Sequence, residues 1–287
     1  MVDAQYLGYH AIIDVSFLLL ATTAIAYPVV KAKLWKNMAI VSKIFFMAVA
    51  HILYYLGLFD IVDNGQRYGL YLGFYLIISL LFMMSRRLLP FFITKSLGLK
   101  EGPRNSKIVD LLSLLLFVVF MVSEVFFSSP ISNTVAGMLF VVHATRAYWW
   151  YNKGIWKKSL LWSIYVAYCF LALGFGLKFL SAYVWMMPYL DIHAFAFGLG
   201  LMSLSFMTRV SLGHTGRNIN EPPKVLNGVF ILLVISFVFR VIMPMLSVEN
   251  YVDWIFIAQI LWSLSFLIFV VTYAPILLKK RIDGRFG

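Results

Sequence analysis

The chain has 287 residues, of which 62% are hydrophobic and only 13% are charged, and its mean hydropathy is +0.88. A soluble domain needs polar residues to cover its surface, so this composition excludes a soluble protein and indicates a polytopic membrane protein. The formal net charge of +12 comes from cations spread over the connections between apolar segments. We therefore predict a lipid bilayer, and no nucleic acid, as the partner of these cations.

Apolar runs of about 20 residues recur along the chain, each long enough to cross a hydrocarbon core of about 30 Å. They do not alternate in polarity as the strands of a membrane barrel do, so the predicted fold class is all-α. One transmembrane domain over residues 1–287 is predicted, with nine spans at 10–30, 38–59, 69–89, 107–127, 132–150, 159–180, 188–210, 225–246 and 252–277. The longest connection, at about 91–106, contains a Gly-Pro pair and indicates a surface loop.

The distribution of charge predicts the orientation of these spans. Cations collect in alternate connections and at the C-terminal end, for example Lys31, Lys33 and Lys36 after the first span. The intervening connections carry Asp60, Asp63, Glu249 and Asp253, with little but Arg67 to oppose them. The positive-inside rule then places the N-terminus outside and the C-terminus in the cytoplasm.

Ionisable side chains inside the spans are the candidates for chemistry, because each one is costly to insert and usually has a partner or a function. They are Asp14, His51, Glu124, His143, Arg146, Lys178, His193, Arg209 and Arg240. The single cysteine, Cys169, lies inside a span, which excludes a disulfide framework and a cysteine-based metal site. Histidine is then the natural ligand for haem iron or copper.

Depth within the bilayer separates the histidines into two layers. With a rise of about 1.5 Å per residue, His51 and His143 lie about 12 and 16 Å below the outer edges of their spans, and His193 about 7 Å. Two imidazoles at similar depth on facing helices can hold one haem iron between them. We therefore predict His51 and His143 as a ligand pair and His193 as a second-site or third ligand. The alternative for each histidine is an interhelical hydrogen bond.

The seventh span and its cytoplasmic end carry a second pattern. Small residues repeat every four positions at Ala194/Gly198 and Ala196/Gly200, which favours close helix packing and leaves room for a flat porphyrin as the alternative. The sequence from Arg209 to Arg217 combines two arginines, His214 and two glycines. It predicts either an anion or propionate cradle, with Gly213 ending the helix and Thr215 and backbone amides as donors, or a basic turn.

Arg240 lies 15 residues from the start of the eighth span, which is beyond easy snorkelling to the cytoplasmic surface. Its expected partner is therefore Glu124, Asp14 or the carboxylate of a cofactor.

Several of these segments resemble one family. Residues 193–200 (HAFAFGLG) and 207–217 (MTRVSLGHTGR) are similar to the hallmark segment of the NnrS family, polytopic bacterial membrane proteins linked to haem, copper and nitric-oxide stress. Residues 86–92 (RRLLPFF), the helix that carries His51, and His143 before Arg146 also resemble that family, so the similarity covers nearly the whole chain. Family members usually carry extra N-terminal helices with a His-rich segment, so the chain is expected to be a short form. A partner membrane subunit or a homo-oligomer would then complete the site.

The resemblance implies a multi-pass protein of the bacterial inner membrane that binds haem b, with copper as a further metal, and handles nitric oxide or another small gas ligand in nitrosative-stress protection. His51 and His143 would be the axial ligands. Arg146 would accompany His143, Arg209, His214 and Arg217 would hold propionates or fix the turn, and Arg240 would neutralise a buried carboxylate. Two possibilities remain for activity: a haem-dependent oxidoreductase that metabolises nitric oxide, or a protein that only binds it. The alternatives are a non-catalytic haem-carrying or anchoring subunit of a respiratory complex, and a transporter.

Overall fold

The computed structural model describes residues 4–127 and 130–284, and within these ranges the chain forms helices, turns and connections but no β-strand. The helices are α1 Ala4–Lys31, α2 Met38–Leu58, α3 Gly65–Leu97, α4 Lys107–Val122, α5 Pro130–Trp150, α6 Ser159–Leu180, α7 Leu190–His214, α8 Val225–Phe237, α9 Met243–Leu246 and α10 Tyr251–Leu278. The predicted all-α fold class is thereby confirmed.

Eight helical segments in the described ranges are long and apolar enough to cross a membrane. They correspond to α1, α2, α3, α4 with the turn that follows it, α6, α7, α8 with α9, and α10. The predicted fifth span is a helix of 21 residues, α5, but it is not among the eight. Helix α5 is less hydrophobic than its neighbours because it contains Asn133, His143 and Arg146. Whether α5 inserts into the membrane therefore stays a prediction. The ninth span and the orientation of the termini depend on this insertion and stay predictions too.

Helix α3 continues beyond its predicted end, so part of the predicted surface loop is helical. It runs through Pro90 to Leu97, and the Thr94 hydroxyl donates to the Pro90 carbonyl at 2.8 Å. At about 1.5 Å per residue, its 33 residues exceed the hydrocarbon thickness, so at least one end extends past the apolar layer.

Two helices contain a π-helical turn, and each turn carries one ionisable residue. Helix α4 continues into the turn Ser123–Phe127 with Glu124, and α8 continues into Val238–Ile242 with Arg240. Pro244 follows the second turn, and it has no N–H to donate to the carbonyl four residues earlier, at Arg240. The wider turn accommodates this missing hydrogen bond, and such turns are frequent at functional sites.

The chain divides into two compact units. Unit 1 comprises the residues up to Met83 together with Val118–Ser132, and unit 2 comprises Met84–Phe117 and the residues from Asn133 onward. Within unit 1, α2 and the beginning of α3 approach so closely that only glycine fits. A Cβ at Gly65 would lie 2.7 Å from the Cα of Gly57, and one at Gly69 would lie 2.5 Å from the Ala50 carbonyl oxygen.

In unit 2, the small residues of α7 serve helix packing. A Cβ at Gly198 would lie 2.7 Å from the Leu171 side chain of α6, and Gly200 faces the Trp262 ring of α10. Conversely, Phe195 of α7 packs over Gly174 of α6. At Gly198 and Gly200 the space is occupied by neighbouring side chains, which supports the packing interpretation at these two positions. Ala196, by contrast, lines a small cavity, and the porphyrin alternative stays a prediction.

Candidate functional site

The π-helical turn after α8 brings Arg240 to His193. Nη2 of Arg240 donates to Nε2 of His193 at 2.9 Å, so the imidazole accepts through Nε2 and is assigned its proton on Nδ1. This partner differs from the two protein carboxylates expected from the sequence, Glu124 and Asp14, and the cofactor carboxylate stays a prediction. Asp14, one of those carboxylates, instead accepts a hydrogen bond from the Tyr55 hydroxyl.

A small cavity lies beside this pair, within unit 2. Its volume is about 240 Å³, and its lining includes Arg240, Phe197, Gln259, Trp262 and Ser263. In the ranges that the structure describes, Nη1 of Arg240 is buried without a hydrogen-bond partner. The cavity is smaller than the roughly 300 to 1,000 Å³ of typical organic ligand sites. It therefore suits a molecule of a few atoms, and not a macrocycle.

His143 is enclosed between α5 and α6. Only 1% of its surface is exposed, and its Nδ1 lies 2.8 Å from the Tyr168 hydroxyl. Its ring is nearly parallel to that of Phe175, with 5.7 Å between the ring centres. These contacts hold the imidazole in one orientation.

One helical turn further along α5, Arg146 forms a buried ion pair that the sequence did not indicate. Its Nη2 lies 2.9 Å from Oδ1 of Asp110 and donates to the Ser113 hydroxyl at 3.2 Å. Asp110 also pairs with Arg86 at 2.6 Å, and the side chains of Arg146, Asp110 and Arg86 are 3%, 13% and 51% exposed. The signal that would have identified Asp110 is a carboxylate inside the first turn of an otherwise apolar stretch at 108–122.

The predicted histidine ligands fall into different units. His51 is half-buried on α2 in unit 1, whereas His143 and His193 belong to unit 2. Within unit 2, the two histidines hydrogen-bond to partners on different helices, Tyr168 and Arg240. In the described part of the chain, no three His, Cys, Asp or Glu side chains form a group that could hold a metal ion. The ligand pair and the third ligand therefore remain predictions.

The end of α7 forms a closed backbone turn. The helix ends at His214, and Gly216, not Gly213, adopts the left-handed conformation, with φ of 74°. The Arg217 and Gly216 amides donate to the Leu212 and Gly213 carbonyls at 2.8 and 3.2 Å, which is the Schellman arrangement.

The polar groups of this turn are also engaged within the fold. The Thr215 hydroxyl donates to the Ser211 carbonyl at 2.7 Å. Arg217 donates to the Ile276 carbonyl of α10 at 3.3 Å, and His214 is exposed. The amides and the hydroxyl expected to cradle an anion are thus used to end the helix, and Arg217 ties the turn to α10.

Arg209 has a different environment from Arg217. Its guanidinium carbon lies 4.0 Å from the centre of the Phe92 ring, and Nη2 is 3.5 Å from the Ser96 hydroxyl. It lines a cleft of about 620 Å³ at the start of α6 and of α8. Of the predicted cradle residues, Arg209 is therefore the one that borders an open, ligand-sized space.

Comparison with known proteins identifies a family. The family model described as NnrS protein matches residues 3–281. No protein of curated function and no solved structure matches significantly.

Proposed function

The chain belongs to the NnrS family, and from that premise we propose that it is a haem-binding protein of the bacterial inner membrane that handles nitric oxide or protects against nitrosative stress. Copper is the alternative metal. His51 and His143 would ligate the haem iron, and His193 would be a ligand at a second site. Family membership supports a membrane protein associated with nitric oxide. The binding of haem or copper is our proposal beyond family membership.

The environment of His143 is the observation that carries the haem proposal. A metal-bound histidine normally has its second ring nitrogen fixed by a hydrogen bond, which sets the ring orientation and the tautomer. Nδ1 of His143 has that contact with the Tyr168 hydroxyl at 2.8 Å, which leaves Nε2 as the ligating atom. This contact supports His143 as a proposed haem ligand. Bound haem would supply an iron atom to which nitric oxide coordinates directly.

Ligation of a metal by His193 would displace a contact within the fold. Its Nε2 accepts from Arg240 at 2.9 Å, so ligation through that atom requires Arg240 to move away. Of this pair, Arg240 lines the adjacent cavity and is the residue suited to act on the small ligand. The guanidinium, whose Nη1 is buried, can donate a hydrogen bond to a molecule in the adjacent cavity of about 240 Å³.

Access to this cavity supports a ligand that arrives through the bilayer. Its lining residues Gln259 and Ser263 are exposed positions in the middle of α10, a helix apolar enough to span the membrane. Nitric oxide is small and apolar and concentrates in lipid, so it can enter from the hydrocarbon. A water-soluble substrate would not use this route.

The test is the visible spectrum of detergent-purified protein, oxidised and dithionite-reduced, with and without nitric oxide, together with iron and copper analysis. We expect a b-type Soret band that shifts with nitric oxide. His51→Ala and His143→Ala should remove or shift the band, because each deletes an axial ligand. His10→Ala is the matched control, since His10 is exposed on α1 and should leave the spectrum unchanged.

Tyr168→Phe tests whether the hydroxyl that orients His143 affects haem ligation, because this variant keeps the aromatic ring and its packing and removes only the hydroxyl. We expect the Soret band to persist but move, or the haem to be retained less tightly. A band that does not respond to nitric oxide would favour the haem-carrying or anchoring subunit. Protein without haem or metal would overturn the proposal.

A further inference from the structure

A polar cleft lies at one end of unit 2, where the predicted cytoplasmic connections α5–α6 and α7–α8 meet the ends of the helices. It encloses about 620 Å³, within the range of small-molecule sites. Its walls are Ser96, Trp156, Lys157, Lys158, Ser159, Leu160, Arg209, Ile219, Asn220, Glu221, Pro222, Pro223, Lys224 and Asn227.

The charge of this lining is strongly unbalanced. It includes the cations Lys157, Lys158, Arg209 and Lys224, and one acid, Glu221. Serine and asparagine side chains supply further hydrogen-bond donors. A concave surface with this composition concentrates positive potential, because its low-dielectric walls focus the field, and it attracts anions.

Arg209 gives the cleft a fixed cationic group. Its guanidinium stacks on Phe92 at 4.0 Å, which holds the side chain in place without neutralising it. Within the described ranges, its Nε is buried and has no hydrogen-bond partner. A planar guanidinium held in this way is suited to bidentate contact with phosphate oxygens.

Two helix N-termini add to the field of the cations. Helices α6 and α8 begin in this cleft, and their N-cap residues are Lys158 and Lys224. Neither helix has a side-chain cap hydrogen bond, because lysine cannot accept one from the backbone. Some amides of these first turns already donate to backbone carbonyls, for example Leu161 to Lys158 and Leu226 to Pro223. The contribution of the two helices to anion binding is therefore the positive ends of their dipoles.

From these observations we infer that the cleft binds the phosphate group of an anionic ligand. The ligand is either the headgroup of an anionic phospholipid or a small soluble phosphate compound, since the cleft lies where the apolar helices end. Arg209 and the two N-cap lysines are the binding residues. Within the described part of the chain, no histidine lines this cleft, and phosphate binding needs no metal, so this inference can be tested independently of the proposed haem function.

The test measures binding of two probes to detergent-purified, delipidated protein. Inorganic phosphate is titrated by calorimetry, and phosphatidylglycerol is titrated by native mass spectrometry with phosphatidylcholine as the neutral reference. Arg209→Gln and the double variant Lys158→Gln/Lys224→Gln should each weaken binding about tenfold, because each removes charge-assisted hydrogen bonds. Lys279→Gln/Lys280→Gln is the matched control, with the same loss of charge at exposed positions, and should change affinity less than about twofold.

The outcomes distinguish the two sources of phosphate. Binding of inorganic phosphate identifies a soluble ligand, and selective binding of phosphatidylglycerol alone identifies a lipid headgroup. The double lysine variant keeps Arg209 and its stacking, so it gives a valid result even where Arg209→Gln fails to fold. If neither probe binds selectively, or if the control variant loses as much affinity as the cleft variants, the inference is wrong.

Discussion

Asp110 forms ion pairs with two arginines in unit 2. Its carboxylate is shared by Arg146 at 2.9 Å and Arg86 at 2.6 Å, but only the Arg86 side chain is substantially exposed. Arg146 is 3% exposed, and its charge is costly to bury without a counter-ion. Because Arg146 lies one turn from His143 on α5, the ion pair also fixes the helix that presents the predicted haem ligand.

Asp110→Asn is therefore expected to destabilise the protein by about 3 kcal/mol, since it leaves the Arg146 charge buried and uncompensated. Thermal unfolding in detergent measures the effect. Asp63→Asn makes the same change at an exposed loop position and should cost less than about 0.5 kcal/mol.

The double variant Asp110→Asn/Arg146→Met tests the mechanism of this loss. It removes the buried charge together with its partner, so part of the stability should return. Equal destabilisation by Asp110→Asn and by Asp63→Asn would contradict the assigned role of Asp110.

The sequence identified His193 and Arg240 individually but not as a pair. Both were singled out because ionisable residues are expensive at membrane depth. Which residues meet depends on helix rotation, and here a π-helical turn sets the direction of Arg240. Asp110 was missed because depth alone does not distinguish an acid near the end of a span from one at the surface.

At the scale of helices, α2 and the beginning of α3 approach each other backbone to backbone. A Cβ at Gly57 would collide with the backbone amide of Gln66, and backbone cannot move aside as a flexible side chain can. We expect Gly57→Ala to lower the unfolding temperature markedly, with a cost of several kcal/mol, because the two helices must separate.

Gly8→Ala is the control for this variant. A Cβ at Gly8 in α1 meets nothing within 4 Å, so alanine should be neutral or stabilise the helix by up to about 1 kcal/mol. The two variants are compared by thermal unfolding in the same detergent. A Gly57→Ala protein as stable as the parent would contradict the close packing.

Hydrophobic run length predicted the all-α fold class, because burial in lipid requires about 20 apolar residues whatever their neighbours. Helix ends were less predictable. Pro90 did not stop α3, and α7 passed Gly213 and ended at His214, with Gly216 in the left-handed conformation. A proline or glycine permits a helix end, but surrounding contacts decide whether the end occurs there.

At the scale of the molecule, the open question is whether α5 crosses the bilayer. With nine spans, Glu101 and Lys153 lie on the same, cytoplasmic side. If α5 does not cross, they lie on opposite sides, because α4 crosses between them. The charge pattern favours the first arrangement, since both connections are rich in cations.

Cysteine labelling separates these arrangements. Cys169→Ser removes the one natural cysteine, and Asp63→Cys, Glu101→Cys or Lys153→Cys is then added singly. On intact cells, a membrane-impermeant maleimide should label position 63 only, whereas permeabilised cells should be labelled at all three positions. Labelling of position 153 on intact cells would rule out nine spans.

Because Arg240 lies in the π-helical turn at Val238–Ile242, the geometry of its site depends on the number of residues in this segment of the helix. Each residue of a helix adds about 100° of rotation and 1.5 Å of rise. Loss of one residue between α8 and Arg240 would swing the guanidinium away from His193 without altering any contacting side chain. Single-residue insertions or deletions here should therefore damage the site more than most substitutions, although the overall hydrophobicity of the segment would hardly change.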